Sequence, residues 1–163
     1  MADNTKRDKI CPCILAGVIN DGKILLIHRK KEPYKDHWAM PGGKIEFAEH
    51  IEETAEREVK EETGLDAKVV AIRGIATEII HTKEGAENHF IIYVVELKPK
   101  NKELTESEEG KLKWFSFEEL ENLNMIPSDK LMFKEFVLKQ RELKVHRIKV
   151  QRDGEKYDVE EFT

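Results

Sequence analysis

The stretch Gly43–Leu65, GKIEFAEHIEETAEREVKEETGL, limits what this chain can become more than any other, because it gathers negative charge on one side of a helix. On a helix advancing about 100° per residue, Glu58, Glu61 and Glu62 stand at i, i+3 and i+4 and face one direction. Like charges at that spacing cost a helix about 0.2–0.5 kcal/mol per pair, so the arrangement calls for a cation that offsets the repulsion. Mg²⁺ is such a cation, since it takes oxygen ligands and is commonly held by carboxylates together with substrate phosphates. Arg57, four residues before Glu61, is placed to brace it. Ile51, Ala55 and Val59 form the stripe that packs the helix down, and Gly64 stands where a helix ends.

The segments around this helix alternate between strand-like and polar. Ile10–Ile19 and Lys23–Arg29 flank Asn20-Asp21-Gly22 and predict a hairpin. The loop Lys30–Pro41 carries Tyr34, His37 and Trp38 and delivers the chain to Gly42-Gly43. Without side chains there, a carbonyl near Gly43 can reach a metal and neighbouring amides can meet phosphate. Downstream, Asp66–Ile80 reads as a strand, Lys83–Asn88 as its turn, His89–Leu97 as a buried strand and Leu112–Phe115 as a short apolar segment. Ser116, with Glu119 as capping-box partner, predicts one helix start. Ser128 predicts another, whose Leu131, Phe133, Phe136, Val137 and Leu138 supply apolar surface. Val145–Val150 and Tyr157–Phe162 flank Asp153-Gly154 as a closing hairpin. Strands with a few helices between them predict an α/β chain, with a mixed β-sheet covered by helices on both faces.

At 163 residues and 39% hydrophobic, the chain is read as a single domain over 1–163, with the polar residues 1–9 as a disordered tail. Charged residues make up 37%, but both signs are interspersed and the net charge is −5, which argues against nucleic-acid affinity. The distribution is uneven: Gly43–Leu65 holds eight acids and three bases, whereas Lys130–Lys149 holds seven Lys or Arg and two Glu. An acidic metal site beside a basic rim suits a polyphosphate with its ions. Cys11 and Cys13 are too close in sequence for a good disulfide and lack partners for a zinc site, so they are read as small buried strand residues. No signal peptide or membrane-length apolar run is present, so a cytoplasmic protein with no membrane partner is expected. The oligomeric state is open, a homodimer included.

The acidic helix and its approach match the pattern G-x5-E-x7-R-E-U-x-E-E-x-G-U at Gly43, Glu49, Arg57, Glu58, Val59, Glu61, Glu62, Gly64 and Leu65. This resembles the Nudix box, and nine constrained positions in 23 residues make the match specific. The approach Trp38-Ala39-Met40-Pro41-Gly42-Gly43-Lys44 is similar to the family's, although Ala48 stands where many relatives have Gly. Glu106–Gly110 with Trp114-Phe115, then Met125–Asp129, and the closing hairpin resemble the MutT-like branch, which hydrolyses oxidised purine nucleoside triphosphates. Ala39 and Ile126 depart from it, standing where some of those enzymes contact the base with an Asn and an aromatic residue.

The resemblance implies a Nudix-type α/β/α sandwich and a metal-dependent pyrophosphohydrolase. Its cofactor would be Mg²⁺, with Mn²⁺ as an alternative, and its partner a small-molecule nucleotide. The expected reaction takes 8-oxo-dGTP or another damaged nucleotide to the monophosphate and pyrophosphate. Alternatives are hydrolysis of ADP-ribose, another nucleoside diphosphate derivative or a dinucleoside polyphosphate, and a nucleotide-binding module without turnover. Glu58, Glu61 and Glu62, with Gly43, are the expected metal ligands, and Glu109 completes the set by resemblance. Glu58, Glu61 and Arg57 are the expected catalytic residues, Glu58 being the candidate base that activates water. Lys44, Trp38 and Asp129 are expected to contact substrate, Asp129 through the nucleobase.

Overall fold

The computed structural model describes residues 9–143, 145, 148–153 and 156–162, so the expected tail, apart from Lys9, lies outside it. Its strands are β1 (Ile10–Asn20), β2 (Lys23–Arg29), β3 (Trp38–Ala39), β4 (Gly42–Lys44), β5 (Ala67–Thr82), β6 (Gly85–Pro99), β7 (Gly110–Ser116), β8 (Ile148–Asp153) and β9 (Lys156–Phe162). The helices that matter for the site are α1 (Ile51–Thr63) and α2 (Pro127–Met132), the latter continuing as a π-type turn over Phe133–Leu138.

Alternation along β1 and β6 builds the layers. The two strands pair in parallel from Ile10↔His89 to Val18↔Leu97, so residues opposite each other share a face. Ile14, Ala16, Val18, Val95 and Leu97 form one core with Ala55 and Val59 of α1. The next residues along, Cys13, Leu15, Ile92 and Val94, belong to a second core with Met132, Phe133 and Val137. Helices therefore cover both faces of a mixed sheet, which is the expected α/β/α sandwich. The sheet runs β3-β2-β1-β6-β5, with β4 added to β1 and β7 to β2. In this order β1 carries the glycine loop on one flank and β6 on the other, so the loop is fixed to the centre of the sheet.

Several boundaries differ from the sequence reading. The expected six-residue turn at Lys83–Asn88 is a tight one at Lys83-Glu84, because Thr82↔Gly85 and His81↔Ala86 extend the β5–β6 ladder. Polar residues at that tip are exposed, so their polarity carried no information against a strand. Ser116 and Glu119 do exchange bonds, Glu119 accepting from the Ser116 amide at 2.7 Å, but the element they introduce is a 3₁₀ turn over Glu118–Asn122. Ser128 is not a cap: α2 begins at Pro127 after Ile126, proline suiting the first turn because its missing N–H is not needed there. The closing hairpin spans β8 and β9, Val145 precedes it, and Gly154 lies outside the described residues. Among the described residues no helix is long and apolar enough to cross a membrane.

α1 stops where expected. Gly64 adopts φ 75°, and its amide donates to the Lys60 carbonyl at 2.9 Å. A Cβ there would lie 2.8 Å from Thr105 Cβ, in a conformation that costs a side-chain-bearing residue about 1–2 kcal/mol. Gly64→Ala should therefore lower stability by about 1–3 kcal/mol in urea unfolding. An unchanged midpoint would show that this cap does not lock the helix end.

Candidate active site

Arg57 joins the acidic residues to one another and to the sheet. Its Nε and Nη2 donate to Glu49 Oε1 at 2.7 Å and Oε2 at 2.9 Å, a two-pronged pair matched to the planar fork of the guanidinium. Nη1 donates to Glu58 at 2.8 Å and to Glu61 at 3.3 Å, and Nη2 also reaches the Lys44 carbonyl at 3.2 Å. The expected Arg57–Glu61 contact exists, but Glu49 is the main partner. Thr54 Oγ1 donates to Glu49 at 2.7 Å as well. Arg57 first, then Thr54 and the Glu46 amide, hold Glu49 down to a pKa of about 2 against the effect of its burial.

The glycine loop lies directly against this helix. A Cβ on Gly43 would sit 2.2 Å from Glu58 Oε1, so only glycine lets the backbone and that carboxylate meet. Burial pushes the Glu58 carboxyl up, against the pull of Arg57. Beside it the Gly42 amide donates to Glu62 Oε2 at 3.1 Å. Glu62 is pushed up to about 8, first by burial and then by repulsion from Glu58 and Glu109. Glu109 comes from the loop before β7, where Lys31 holds it at 2.9 Å. Of its acidic neighbours, Glu106 is turned to the Leu112 amide at 3.3 Å.

The glycine loop, Glu62 and Glu109 open onto a cleft of about 230 Å³. Gly42, Gly43, Lys44, Glu62 and Glu109 line one end. At the other end stands Asp129, 4% exposed, accepting the Met40 amide at 2.9 Å and pushed up to about 7 mainly by its burial. Tyr34, Ala39 and Ile126 form the wall beside it, and Cys11, Cys13 and Glu78 belong to the floor. Arg29 lines the cleft and acts electrostatically on both Glu62 and Asp129.

Three sequence expectations, for Trp38, the cysteines and the basic rim, need correction here. Trp38 lies outside the cleft lining: its ring packs on Phe115 at 4.8 Å and His28 at 5.0 Å, because β3 turns it toward the second core. Glu58 and Glu61 also stand outside the lining, both held on Arg57 Nη1, and the Glu61 side chain is 58% exposed. The two cysteines are only half-buried and face the cleft, Cys13 being pushed up to about 12 by burial. The basic rim expected from Lys130–Lys149 is absent among the described residues that line the cleft; Lys134 pairs with Glu121, and Lys139 and Arg141 with Glu135. The cleft's cations are Arg29 and Lys44. Three lining or bracing residues escaped the sequence reading: Glu49, a fixed position of the pattern with no role assigned, and Arg29 and Glu78, which lie on strands that read as scaffold.

The donor chemistry fits a hard divalent ion. Glu58, Glu61, Glu62 and Glu109 offer only oxygen, and a half-buried carboxyl raised by desolvation and by two like neighbours, as Glu62 is, is one that a cation would discharge. Among the described residues no three acidic, His or Cys side chains stand as a finished metal cage. Arg57 takes oxygens of both Glu58 and Glu61.

Comparison with known proteins agrees with this geometry. The NUDIX domain profile matches residues 12–136. An uncharacterised Nudix hydrolase of Bacillus subtilis, YvcI, is 31% identical over 126 residues, 77% of this chain and 76% of its own. An ADP-ribose pyrophosphatase of Methanocaldococcus jannaschii is 52% identical over 60 residues, but that match spans only 36% of either chain. An 8-oxo-dGDP phosphatase of Mus musculus is 34% identical over 70 residues, 42% of this chain and 22% of that enzyme. A MutT protein of Bacillus halodurans superposes with a TM-score of 0.68 at 27% identity, covering 92% of this chain and 97% of that one. The chain belongs to the Nudix family, hydrolases of phosphoric anhydrides in nucleotide derivatives that generally need a divalent metal.

The Glu49 pairing fixes the sign of one pH effect. A carboxyl held below its unfolded value adds stability that is complete well above about pH 4.5 and lost as pH falls toward about 2. Glu49→Gln should remove this acid-side loss and cost about 2 kcal/mol at pH 7, after allowance for solvent screening at Arg57. Unfolding curves from pH 3 to pH 7 would test it, and parallel curves for both proteins would sink the assignment.

Proposed function

We propose that this Nudix hydrolase is a Mg²⁺-dependent pyrophosphohydrolase of a nucleoside triphosphate, with 8-oxo-dGTP or a related damaged nucleotide as substrate. The products are the nucleoside monophosphate and pyrophosphate. The observation that carries this reading is one cleft with carboxylates and a glycine loop at one end and a buried Asp129 beside apolar walls at the other. A polyphosphate with its ion suits the first end, and a nucleobase suits the second.

In this reading Glu58, Glu61, Glu62, Glu109 and the backbone at Gly43 hold the ion. When bound, Mg²⁺ supplies charge neutralisation for the phosphates and lowers the pKa of an attacking water. Glu58 accepts that water's proton, its raised carboxyl being better matched to the task than an ordinary one. Arg57 fixes the directions of Glu58 and Glu61, while Lys44 and Arg29 meet phosphate oxygens along the cleft. Asp129 reads the base: with a pKa near 7 it can donate or accept, and a buried group of that kind penalises a base that leaves it unpaired. The MutT likeness over 92% of the chain favours a damaged purine triphosphate. ADP-ribose is the second reading, favoured by the 52% identity over 60 residues to an ADP-ribose pyrophosphatase.

Product analysis on 8-oxo-dGTP, dGTP, dCTP and ADP-ribose, with Mg²⁺ and with a chelator, separates these readings. Pyrophosphate from 8-oxo-dGTP at the highest kcat/KM supports the first, and preferred cleavage of ADP-ribose replaces it with the second. Glu62→Gln should fold and lose at least about 100-fold in kcat at limiting Mg²⁺. Normal turnover there would remove Glu62 from the metal site. Asp129→Ala should lower kcat/KM for 8-oxo-dGTP at least about tenfold more than for dCTP, with metal dependence unchanged. A uniform loss would mean that Asp129 only supports Met40 and α2.

A further inference from the structure

The four acids lining the cleft are not equally provided for. Glu62 accepts the Gly42 amide, Glu109 holds Lys31, and Asp129 accepts the Met40 amide. Glu78 lines the same cleft, yet among the described residues its side chain has no hydrogen-bond or ion-pair partner. Its position is set by register: Glu78 pairs with Phe90, and Phe90 with Cys11, so the three lie side by side on the cleft face of β5, β6 and β1. The groups that feel its charge are Asp129 and Tyr34 beside the apolar wall and Cys13 in the floor. The Glu78 carboxylate is half-buried with its oxygens open to the cleft, so a ligand that fills the cleft displaces their water and must donate to them or leave them unpaired.

We infer that Glu78 is a specificity residue that accepts a hydrogen bond from a ring or amino N–H of the bound nucleobase, opposite Asp129. The inference rests on the nucleotide reading of the cleft. A base that turns an N–H toward β5 satisfies Glu78, whereas one that turns a ring nitrogen lone pair toward it sets two acceptors against each other. Asp129, able to donate as well as accept, completes a pair suited to an edge with one carbonyl and one N–H. Guanine has such an edge, and 8-oxoguanine has a second one, because oxidation converts its N7 from acceptor to N–H. Ala39 and Ile126, which cannot hydrogen-bond through their side chains, leave this discrimination to the two acids.

The test compares Glu78→Met, which keeps the volume without an acceptor, with Glu78→Gln, which keeps an acceptor without the charge. The probes are 8-oxo-dGTP, dGTP and purine riboside triphosphate, whose base carries no N–H. Kinetics with Mg²⁺ are read as kcat and KM separately, and binding of the three monophosphates without metal is read by calorimetry. Thermal unfolding checks that both variants are folded. The expected result is a wild-type preference for N–H-bearing bases of at least about tenfold, lost in Glu78→Met and partly kept in Glu78→Gln. A wild-type preference that survives both substitutions overturns the role of Glu78 and leaves the nucleotide reading standing. A wild-type protein that binds and cleaves none of the probes overturns the nucleotide reading itself. Equal losses for all three bases would make Glu78 a structural residue of β5.

Discussion

Much of the site depends on one ion pair, Arg57 with Glu49. The guanidinium is planar and always charged, so a two-pronged hold on Glu49 fixes its orientation as well as its position. Once it is fixed, the remaining nitrogen has few places to point, and Glu58 and Glu61 are gathered on it. The bond to the Lys44 carbonyl ties the same guanidinium to β4. A helix, its preceding loop and a strand thus share one cation. Lys at this position could supply the charge but not the fork, so the three carboxylates would lose their common reference.

The sheet converts this local order into a cleft. β1 pairs with β4 on one side and with β6 on the other, so the glycine loop and the floor are built on a single strand. Alternation then sends Ile14, Ala16 and Val18 to α1 while Cys11 and Cys13 turn toward the cleft. The far wall arrives by two backbone bonds, the Trp38 amide to the Asn124 carbonyl and the Ile126 amide to the Trp38 carbonyl. Those bonds bring the start of α2 against β3 and place Asp129 on the Met40 amide. Trp38 therefore contributes to the site through its main chain, while its ring serves the core.

How much of this could be read in the sequence varies with the range of the interaction. α1 was legible in full, since its stripe, its clustered acids and its terminal glycine all act within a few residues. The mixed sheet and its two helical layers followed from the order of strand-like and helical segments. Strand ends at the β5–β6 tip were missed because ladder pairing, not composition, sets them. The cleft was legible only where a known pattern marked it, as at Gly43, Glu62 and Asp129. Glu78 and Arg29 have no local signal: each is one polar residue in a strand, and only cross-strand register shows which face it takes. The basic stretch after Lys130 misled for the same reason, as its described charges find acidic neighbours that lie apart in sequence or one turn away.

The electrostatics of the cleft follow from where cations are and are not supplied. Glu49 takes two nitrogens of Arg57 on its two oxygens and is held low, so it remains charged and serves structure. Glu62 and Asp129 each receive one backbone amide and feel Arg29 only at a distance, so burial dominates and both rise toward neutrality. The sign for stability is opposite to that of Glu49: a carboxyl raised above its unfolded value stabilises the fold relative to high pH, and that contribution fades as pH climbs through about 7 to 8. The fold thus holds one buried and one half-buried acid at a cost near neutral pH, at the two ends of one cleft. Packing alone would favour apolar residues at both places. Acids in these positions make physical sense when ligands discharge or donate to them; under the proposed function those ligands would be a cation at Glu62 and a base edge at Asp129, the two ends of one nucleotide.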